Sequence, residues 1–285
     1  PTLFKKRIMY RIVKYFPSKL LYDLFILKNE YEIEIAFHEL LSTKIISGSS
    51  CDSLKIAWIH TNIFENNNID KSIIKTKRKY ERFDKIVCVS ANIKDDFVQR
   101  TKLYQETVAI YNPVDIEKIN RESLQKCSLK KNSDDFLIVT VGRLEKVKNY
   151  NTLCKAINIL VRQNYNVKLW IIGEGSEKSN LERYIIENNI ERNIILVGFQ
   201  ENPYKYLKQA DLFVSSSKVE GFSLALAEAM ALDIPILSTK TDGPLEILDN
   251  GKYGLLTDFD EKSISNSIKQ IIVNKKLLRE LKYSS

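Results

Sequence analysis

Short β-branched runs, each followed by a polar turn and then a helical pattern, recur along this chain from about residue 32 to its end. Parallel strands need long crossover connections, and a helix is the usual one, so this alternation predicts βαβ units and an α/β fold. Strands are expected at 32–37, 55–59, 85–90 and 107–111, and again at 136–141, 168–172, 193–197, 212–215, 234–237 and 253–256. Helical patterns lie between them, notably at 151–163, 177–187, 223–231 and 261–282. The first half is short of strands; the second has enough for a doubly wound sheet with helices on both faces. A polar stretch from Asn112 to Asp135, containing Pro113 and few apolar residues, separates the halves. The expected organisation is an incomplete Rossmann-like domain over 1–115, a linker over 116–131 and a second Rossmann-like domain over 132–285. Ligands of such sheets sit beyond the carboxyl ends of the strands, and two-domain chains commonly use the cleft between their halves.

The 285 residues are 44% hydrophobic and 28% charged, which excludes a disordered or fibrous chain. The longest apolar run, 222–237, is broken by Glu228, Asp233 and Pro235, too soon for a membrane-spanning helix. Cys51, Cys88, Cys127 and Cys154 form no Cys-x-x-Cys pair, and His38 and His60 are the only histidines, so no zinc site is expected. Scattered thiols and the absence of a secretory leader pattern predict a cytoplasmic protein.

Net charge is +8 and unevenly spread. Residues 1–22 carry Lys5, Lys6, Arg7, Arg11, Lys14 and Lys19 without an acid, interleaved with apolar residues. A second cluster comprises Lys71, Lys75, Lys77, Arg78, Lys79, Arg82 and Lys85. Such patches attract anionic surfaces, and peripheral contact with the inner face of an anionic membrane is the partner expected here. No ordered basic and aromatic module supports a nucleic-acid partner, and none is expected.

The strongest local signal is Glu220-Gly221-Phe222-Ser223-Leu224, followed by Glu228, at a strand, loop and helix junction. Gly221 frees the turn, and the first amides of the following helix form a ready anion site. Six helical steps of about 1.5 Å set Glu228 about 9 Å beyond the turn, so one carboxylate can meet a group on each side of a bound diphosphate. Arg143 and Lys148, in Gly142-Arg143-Leu144-Glu145-Lys146-Val147-Lys148-Asn149, also follow a strand and open a helix. Such a cation fork would neutralise a diphosphate and the charge that grows on it as it departs. Ile172-Gly173-Glu174-Gly175-Ser176 lacks the third glycine of a dinucleotide fingerprint and is read as a tight strand-to-helix turn. Gly198 and Phe199 end a strand where backbone groups could pair with a base edge.

Taken together, Gly142-Arg143-Leu144, Lys148-Asn149, Ile172-Gly173-Glu174-Gly175, Gly198-Phe199, Ser215-Ser216, Glu220-Gly221-Phe222, Glu228 and Gly254-Leu255-Leu256 resemble the retaining glycosyltransferases of family 4, the glycosyl transferases group 1. The resemblance runs from about Tyr22 to the end. It implies the GT-B architecture, two facing Rossmann-like domains with the acceptor on the N-terminal side. It implies that Arg143 and Lys148 bind the donor diphosphate, that Glu220 contacts the transferred sugar and that Glu228 holds the ribose. Ala57-Trp58-Ile59-His60-Thr61 looks like the family's strand ending in a histidine beside the donor sugar, with Glu39 and Ser90 as weaker matches.

The implied activity is retaining transfer of a hexosyl group from an NDP-sugar, UDP-linked, to a hydroxyl acceptor. A lipid-linked saccharide in bacterial capsule or other surface-polysaccharide synthesis is the acceptor expected. No cofactor and no essential metal are expected; Asp258-Phe259-Asp260 has the form of a metal clamp but precedes a helix, where capping explains it better. The family's opening strand and Gly-rich loop are not found before residue 32, so the chain reads as clipped at both ends. The alternatives are a GT-B-type UDP-sugar epimerase and a clipped, non-catalytic nucleotide-sugar binder.

Overall fold

The computed structural model describes residues 15–26, 31–39, 41–64, 69–104 and 106–284. The chain divides into two compact units, Pro1–Tyr111 and Asn112–Ser285. Most of the leading basic segment therefore lies outside the described residues; Lys19 falls on the first described helix.

The first unit runs α1 (Ser18–Phe25), β1 (Ile33–Ala36), α2 (Leu41–Ile46), β2 (Leu54–Ile59), α3 (Ile69–Tyr80), β3 (Lys85–Cys88), α4 (Ala91–Thr101) and β4 (Thr107–Ala109). Its four strands are parallel and ordered β1-β2-β3-β4. Every crossover steps in the same direction, so right-handed connections carry the helices to one face of the sheet. In β1 and β2 burial follows the two-residue period, Glu34, Ala36, Ala57 and Ile59 being buried and Ile33, Ile35 and Leu54 exposed, whereas in the inner strand β3 Ile86, Val87 and Cys88 are all buried. Glu34, a buried carboxylate, accepts hydrogen bonds from Tyr22 and, at 2.6 Å, from Ser53, which ties α1 to the sheet.

The second unit comprises α5 (Ile116–Ser123), β5 (Phe136–Val141), α6 (Tyr150–Arg162), β6 (Val167–Ile172), α7 (Lys178–Glu187), β7 (Ile194–Gly198), α8 (Tyr204–Leu207), β8 (Leu212–Ser215), α9 (Leu224–Met230), β9 (Ile236–Thr239), α10 (Asp242–Ile247), β10 (Leu255–Thr257), α11 (Glu261–Val273) and α12 (Lys275–Ser284). Its six strands are parallel in the order β10-β9-β8-β5-β6-β7, the doubly wound pattern. The sheet is buried on both sides. Ile138, Leu169 and Ile171 meet Leu153, Ile157, Leu160, Ile264 and Ile268 on one face. Leu137, Val139, Trp170 and Phe213 meet Leu226, Ala229 and Leu248 on the other. Strands covered twice need near-continuous apolar runs, which β5 and β6 supply.

Three expectations need correction. Residues 116–131, expected as a linker, contain α5, because Ile119 is 2% exposed in the core of the second unit and Asp115 caps the helix by accepting from Lys118 N at 2.9 Å. The long terminal helix over 261–282 is two helices, since Asn274 leaves helical geometry at φ −104°, ψ 86° and its side chain accepts from Leu277 N. The strand expected at 234–237 begins at Ile236, after Pro235, whose ring nitrogen has no hydrogen to pair. Among the described residues, no helix is long and apolar enough to cross a membrane.

Candidate functional site

In the second unit, the crossovers after β5 and β8 depart in opposite directions from neighbouring strands, which opens a crevice at their carboxyl ends. The two loops that border it are 142–149 and 216–223, and they carry most of the sequence-predicted residues. The loops are laced together. Ser216 Oγ donates to the Lys148 carbonyl at 2.8 Å, and Lys218 N donates to the Val147 carbonyl at 2.8 Å. The Lys148 ammonium forms a direct ion pair with Glu220 Oε2, to which Ser217 Oγ also donates at 3.1 Å. Beneath them lies the buried Tyr150, whose hydroxyl would stand 2.7 Å from a Cβ at Gly142. Burial, aided by the Glu220 charge, raises the Tyr150 pKa and keeps it a neutral phenol.

Arg143, on the same loop as Lys148, is exposed, and no carboxylate is paired with it among the described residues. The expected cation fork is thus asymmetric, with one cation engaged by Glu220 and the other facing water. Glu220 is in turn anchored through its main chain, its carbonyl accepting from Gly243 N at 2.8 Å. Close approach explains that glycine: a Cβ there would sit 2.9 Å from the Gly221 backbone.

Gly221 and Ser223 are buried, Phe222 is half-buried and Leu224 is exposed. Helix α9 begins at Leu224, and its first intrahelical bond runs from Ala227 N to the Ser223 carbonyl at 3.1 Å. The amides of Leu224, Ala225 and Leu226 therefore have no partner within the helix. Glu228 sits on its second turn, where Tyr204 hydroxyl donates to Oε1 at 3.0 Å. Burial raises the Glu228 pKa, against the opposing effects of the Tyr204 hydrogen bond and the Lys118 charge.

The loops after β6 and β7 stack in a row on the one after β5. Gly142 N donates to the Ile172 carbonyl at 3.0 Å, Leu144 N to the Glu174 carbonyl at 2.9 Å and Gly173 N to the Gly198 carbonyl at 2.9 Å. Side chains are excluded where they touch: a Cβ on Gly173 would come within 2.0 Å of the Gly142 carbonyl oxygen, and one on Gly175 within 2.4 Å of that of Leu144. Phe199, next to Gly198, is 73% exposed. Asp260 caps α11, accepting from Lys262 N and Ser263 N at 3.0 and 2.9 Å, and Asp258 pairs with Lys240 at 2.8 Å.

In the first unit, His60 follows β2, with its Nε2 3.0 Å from the Phe37 carbonyl and its ring edge-on to Phe37 at 5.0 Å. Buried Glu39 accepts from both His60 N and Thr61 N, the latter at 2.7 Å. Ser90 is fully buried and caps α4, accepting from Ile93 N at 3.3 Å. The second basic cluster is only partly a solvated face: Arg82 donates to the Ser47 carbonyl at 2.8 Å, and burial with Lys75 nearby pushes Lys79 down to about 8. Ser217, Tyr150 and Tyr204 were not among the expected site residues. Ser217 lies three residues before Glu220, a spacing that a run of serines offers openly; Tyr150 directly follows the Lys148-Asn149 motif, and only Tyr204, 24 residues before Glu228, leaves no such trace.

The family model described as "Glycosyl transferases group 1" matches residues 122–285. The N-acetylgalactosamine-N,N'-diacetylbacillosaminyl-diphospho-undecaprenol 4-alpha-N-acetylgalactosaminyltransferase of Campylobacter jejuni is 32% identical over 237 residues, 82% of this chain and 62% of that protein. The capsular polysaccharide biosynthesis glycosyltransferase CapM of Staphylococcus aureus is 26% identical over 207 residues, 68% of this chain and 53% of CapM. Among solved structures, a variant of S. aureus TarM in complex with Fondaparinux, alpha-GlcNAc-glycerol and UDP superposes with a TM-score of 0.74 at 23% identity, covering 92% of this chain and 53% of TarM. The chain thus spans between half and two thirds of the length of these relatives.

Proposed function

Since the chain belongs to the glycosyl transferases group 1, and its α/β units have the GT-B fold, we propose that it serves retaining transfer of a sugar from a UDP-sugar to a hydroxyl of a saccharide acceptor. The observation that carries this reading is the Lys148 and Glu220 pair at the switch point between β5 and β8, with the exposed Arg143 on the same loop as Lys148. A pyrophosphate there takes Arg143, Lys148 and the first amides of α9, while Glu220 turns to the transferred sugar and Glu228 to the ribose. As the bond to the anomeric carbon lengthens, negative charge gathers on the leaving diphosphate, and the same cations stabilise it more strongly than in the ground state. Glu220 meets the positive charge developing on the sugar. A diphosphate oxygen then takes the acceptor proton on the face where the bond broke, which retains the configuration.

In the first unit, Nε2 of His60 is engaged by the Phe37 carbonyl, so Nδ1 is the ring nitrogen left for a hydroxyl ligand. Gly198 and Phe199 are assigned to the base end of the donor. The reading includes no metal step, the cations of the protein taking that part. A lipid-linked acceptor of bacterial surface-polysaccharide synthesis is supported by the relatives above, one named for a diphospho-undecaprenol acceptor and one for capsule synthesis. Peripheral contact of the basic clusters with an anionic membrane surface goes with such an acceptor.

The test is kinetic and uses a panel of UDP-, GDP- and ADP-sugars with the full chain. Arg143→Ala should reduce donor turnover by several orders of magnitude at unchanged thermal stability. Unchanged turnover in a folded Arg143→Ala protein would dismiss the assignment.

A further inference from the structure

We infer that Tyr204 is a positioning residue for the donor's ribose, fixing the carboxylate of Glu228 so that it accepts both ribose hydroxyls. The inference rests on the reading that Glu228 holds the ribose. Tyr204 opens α8, 24 residues before Glu228 in sequence, and its hydroxyl donates to Glu228 Oε1 at 3.0 Å. A phenol is a donor of fixed direction carried on a rigid ring, and this ring is itself packed against the second unit's core.

Its backbone is held as firmly. Tyr204 N donates to Asn202 Oδ1 at 3.0 Å, and Asn202 Nδ2 donates to the Glu122 carbonyl at 2.9 Å and to Gln125 Oε1 at 3.0 Å. A continuous chain of hydrogen bonds therefore runs from the end of α5 through Asn202 and Tyr204 to Glu228. The carboxylate is left with Oε2 and the outer lone pair of Oε1. Vicinal hydroxyls of a ribose are two donors at the spacing that a carboxylate's two oxygens accept, and each bond forms without loss of rotamer freedom if the acceptor is already oriented. Burial, with the Glu228 charge beside it, pushes the Tyr204 hydroxyl up to about 12, so it remains a donor throughout the working range.

The experiment measures binding of UDP and of 2′-deoxy-UDP to the full chain by calorimetry, in wild type, Tyr204→Phe and Glu228→Gln. The wild type should prefer UDP. Tyr204→Phe keeps the ring and its packing, should weaken UDP binding roughly threefold to tenfold, the worth of one hydrogen bond, and should bring the UDP to deoxy-UDP ratio close to that of Glu228→Gln. A purely structural tyrosine would weaken both ligands equally and leave the ratio alone. If the wild type prefers UDP and folded Tyr204→Phe keeps that preference in full, the positioning role is wrong while the Glu228 reading survives. If the wild type itself shows no preference, the Glu228 reading falls and the inference with it. Asn202→Ala, which loosens the Tyr204 amide without altering the phenol, gives an intermediate ratio and provides a second measurement should Tyr204→Phe fold poorly.

Discussion

Replacing Lys148 by Met removes the ammonium from Glu220 while retaining most of the apolar stem. The two side chains are 22% and 14% exposed, so the pair is screened by solvent only in part. Removing one partner of a fully buried pair costs about 3–5 kcal/mol, and an exposed pair is worth about 0–1 kcal/mol. The intermediate exposure and the remaining Ser217 hydrogen bond place this site at about 1–2 kcal/mol, a drop of roughly 2–8 °C in Tm for a unit of this size. The companion Lys148→Met/Glu220→Gln variant should recover much of that loss, because it leaves no uncompensated charge, and the cycle should return a coupling of about 1 kcal/mol or more. Ligand binding separates the two roles. Lys148→Met should weaken UDP by about tenfold to a hundredfold, the worth of a charge-assisted hydrogen bond, and leave uridine nearly unaffected. Glu220→Gln should bind UDP as well as the wild type or better, since it releases Lys148 from its resting partner, yet lose transfer. Thermal unfolding reads the stability changes, calorimetry the affinities and a donor-turnover assay the loss of transfer. If Glu220→Gln weakens UDP as much as Lys148→Met does, Glu220 belongs to the phosphate grip and the competition between carboxylate and diphosphate for Lys148 is refuted.

Other outcomes are equally specific. Gly175→Ala drives a Cβ to 2.4 Å from the Leu144 carbonyl oxygen, a backbone atom with no rotamer to yield; a loss of about 1–3 kcal/mol and weaker UDP binding are expected, and a silent variant by thermal unfolding would contradict the contact. Because burial raises the Glu228 pKa in the folded state, its contribution to stability is present below the ordinary carboxylate range and lost as pH rises through the raised value; Glu228→Gln should therefore gain on the wild type from mildly acidic to neutral pH, a widening gap that pH-resolved melting would show. The same protonation should weaken UDP binding by the wild type as pH falls through that window. Burial pushes the Cys88 and Cys154 thiols up to about 12, whereas Cys51 and Cys127 are half-exposed; a thiol reagent near pH 8 should label the latter pair in the native protein and all four in urea.

Much of this was legible from local pattern. The ten strands among the described residues fall at the apolar runs, because a strand buried on one or both faces must be apolar over its own few residues. Lys148, Glu220 and Glu228 were visible individually as polar residues beside glycine turns. Their pairing was not: the Lys148 contact to Glu220 spans 72 residues and depends on β5 and β8 lying side by side, which only the strand order settles. Helix α5 escaped because one docked residue, Ile119, anchors an otherwise polar stretch, and a composition window averages it away. The break at Asn274 escaped because the flanking residues are good helix formers and one side-chain hydrogen bond decides the geometry. Ser90 matched a site position yet is occupied as a helix cap, a role that any serine before a helix can take.

The stacked turns after β5, β6 and β7 behave as one mechanical part. Bare backbone rests on bare backbone at Gly142 and Gly173, with amides bridging each turn to the next, so there is no side chain between them to flex and absorb a displacement. The backbone that carries Arg143 and the backbone that carries Gly198 and the exposed Phe199 are therefore held at a fixed spacing, a ruler laid across the ends of three strands.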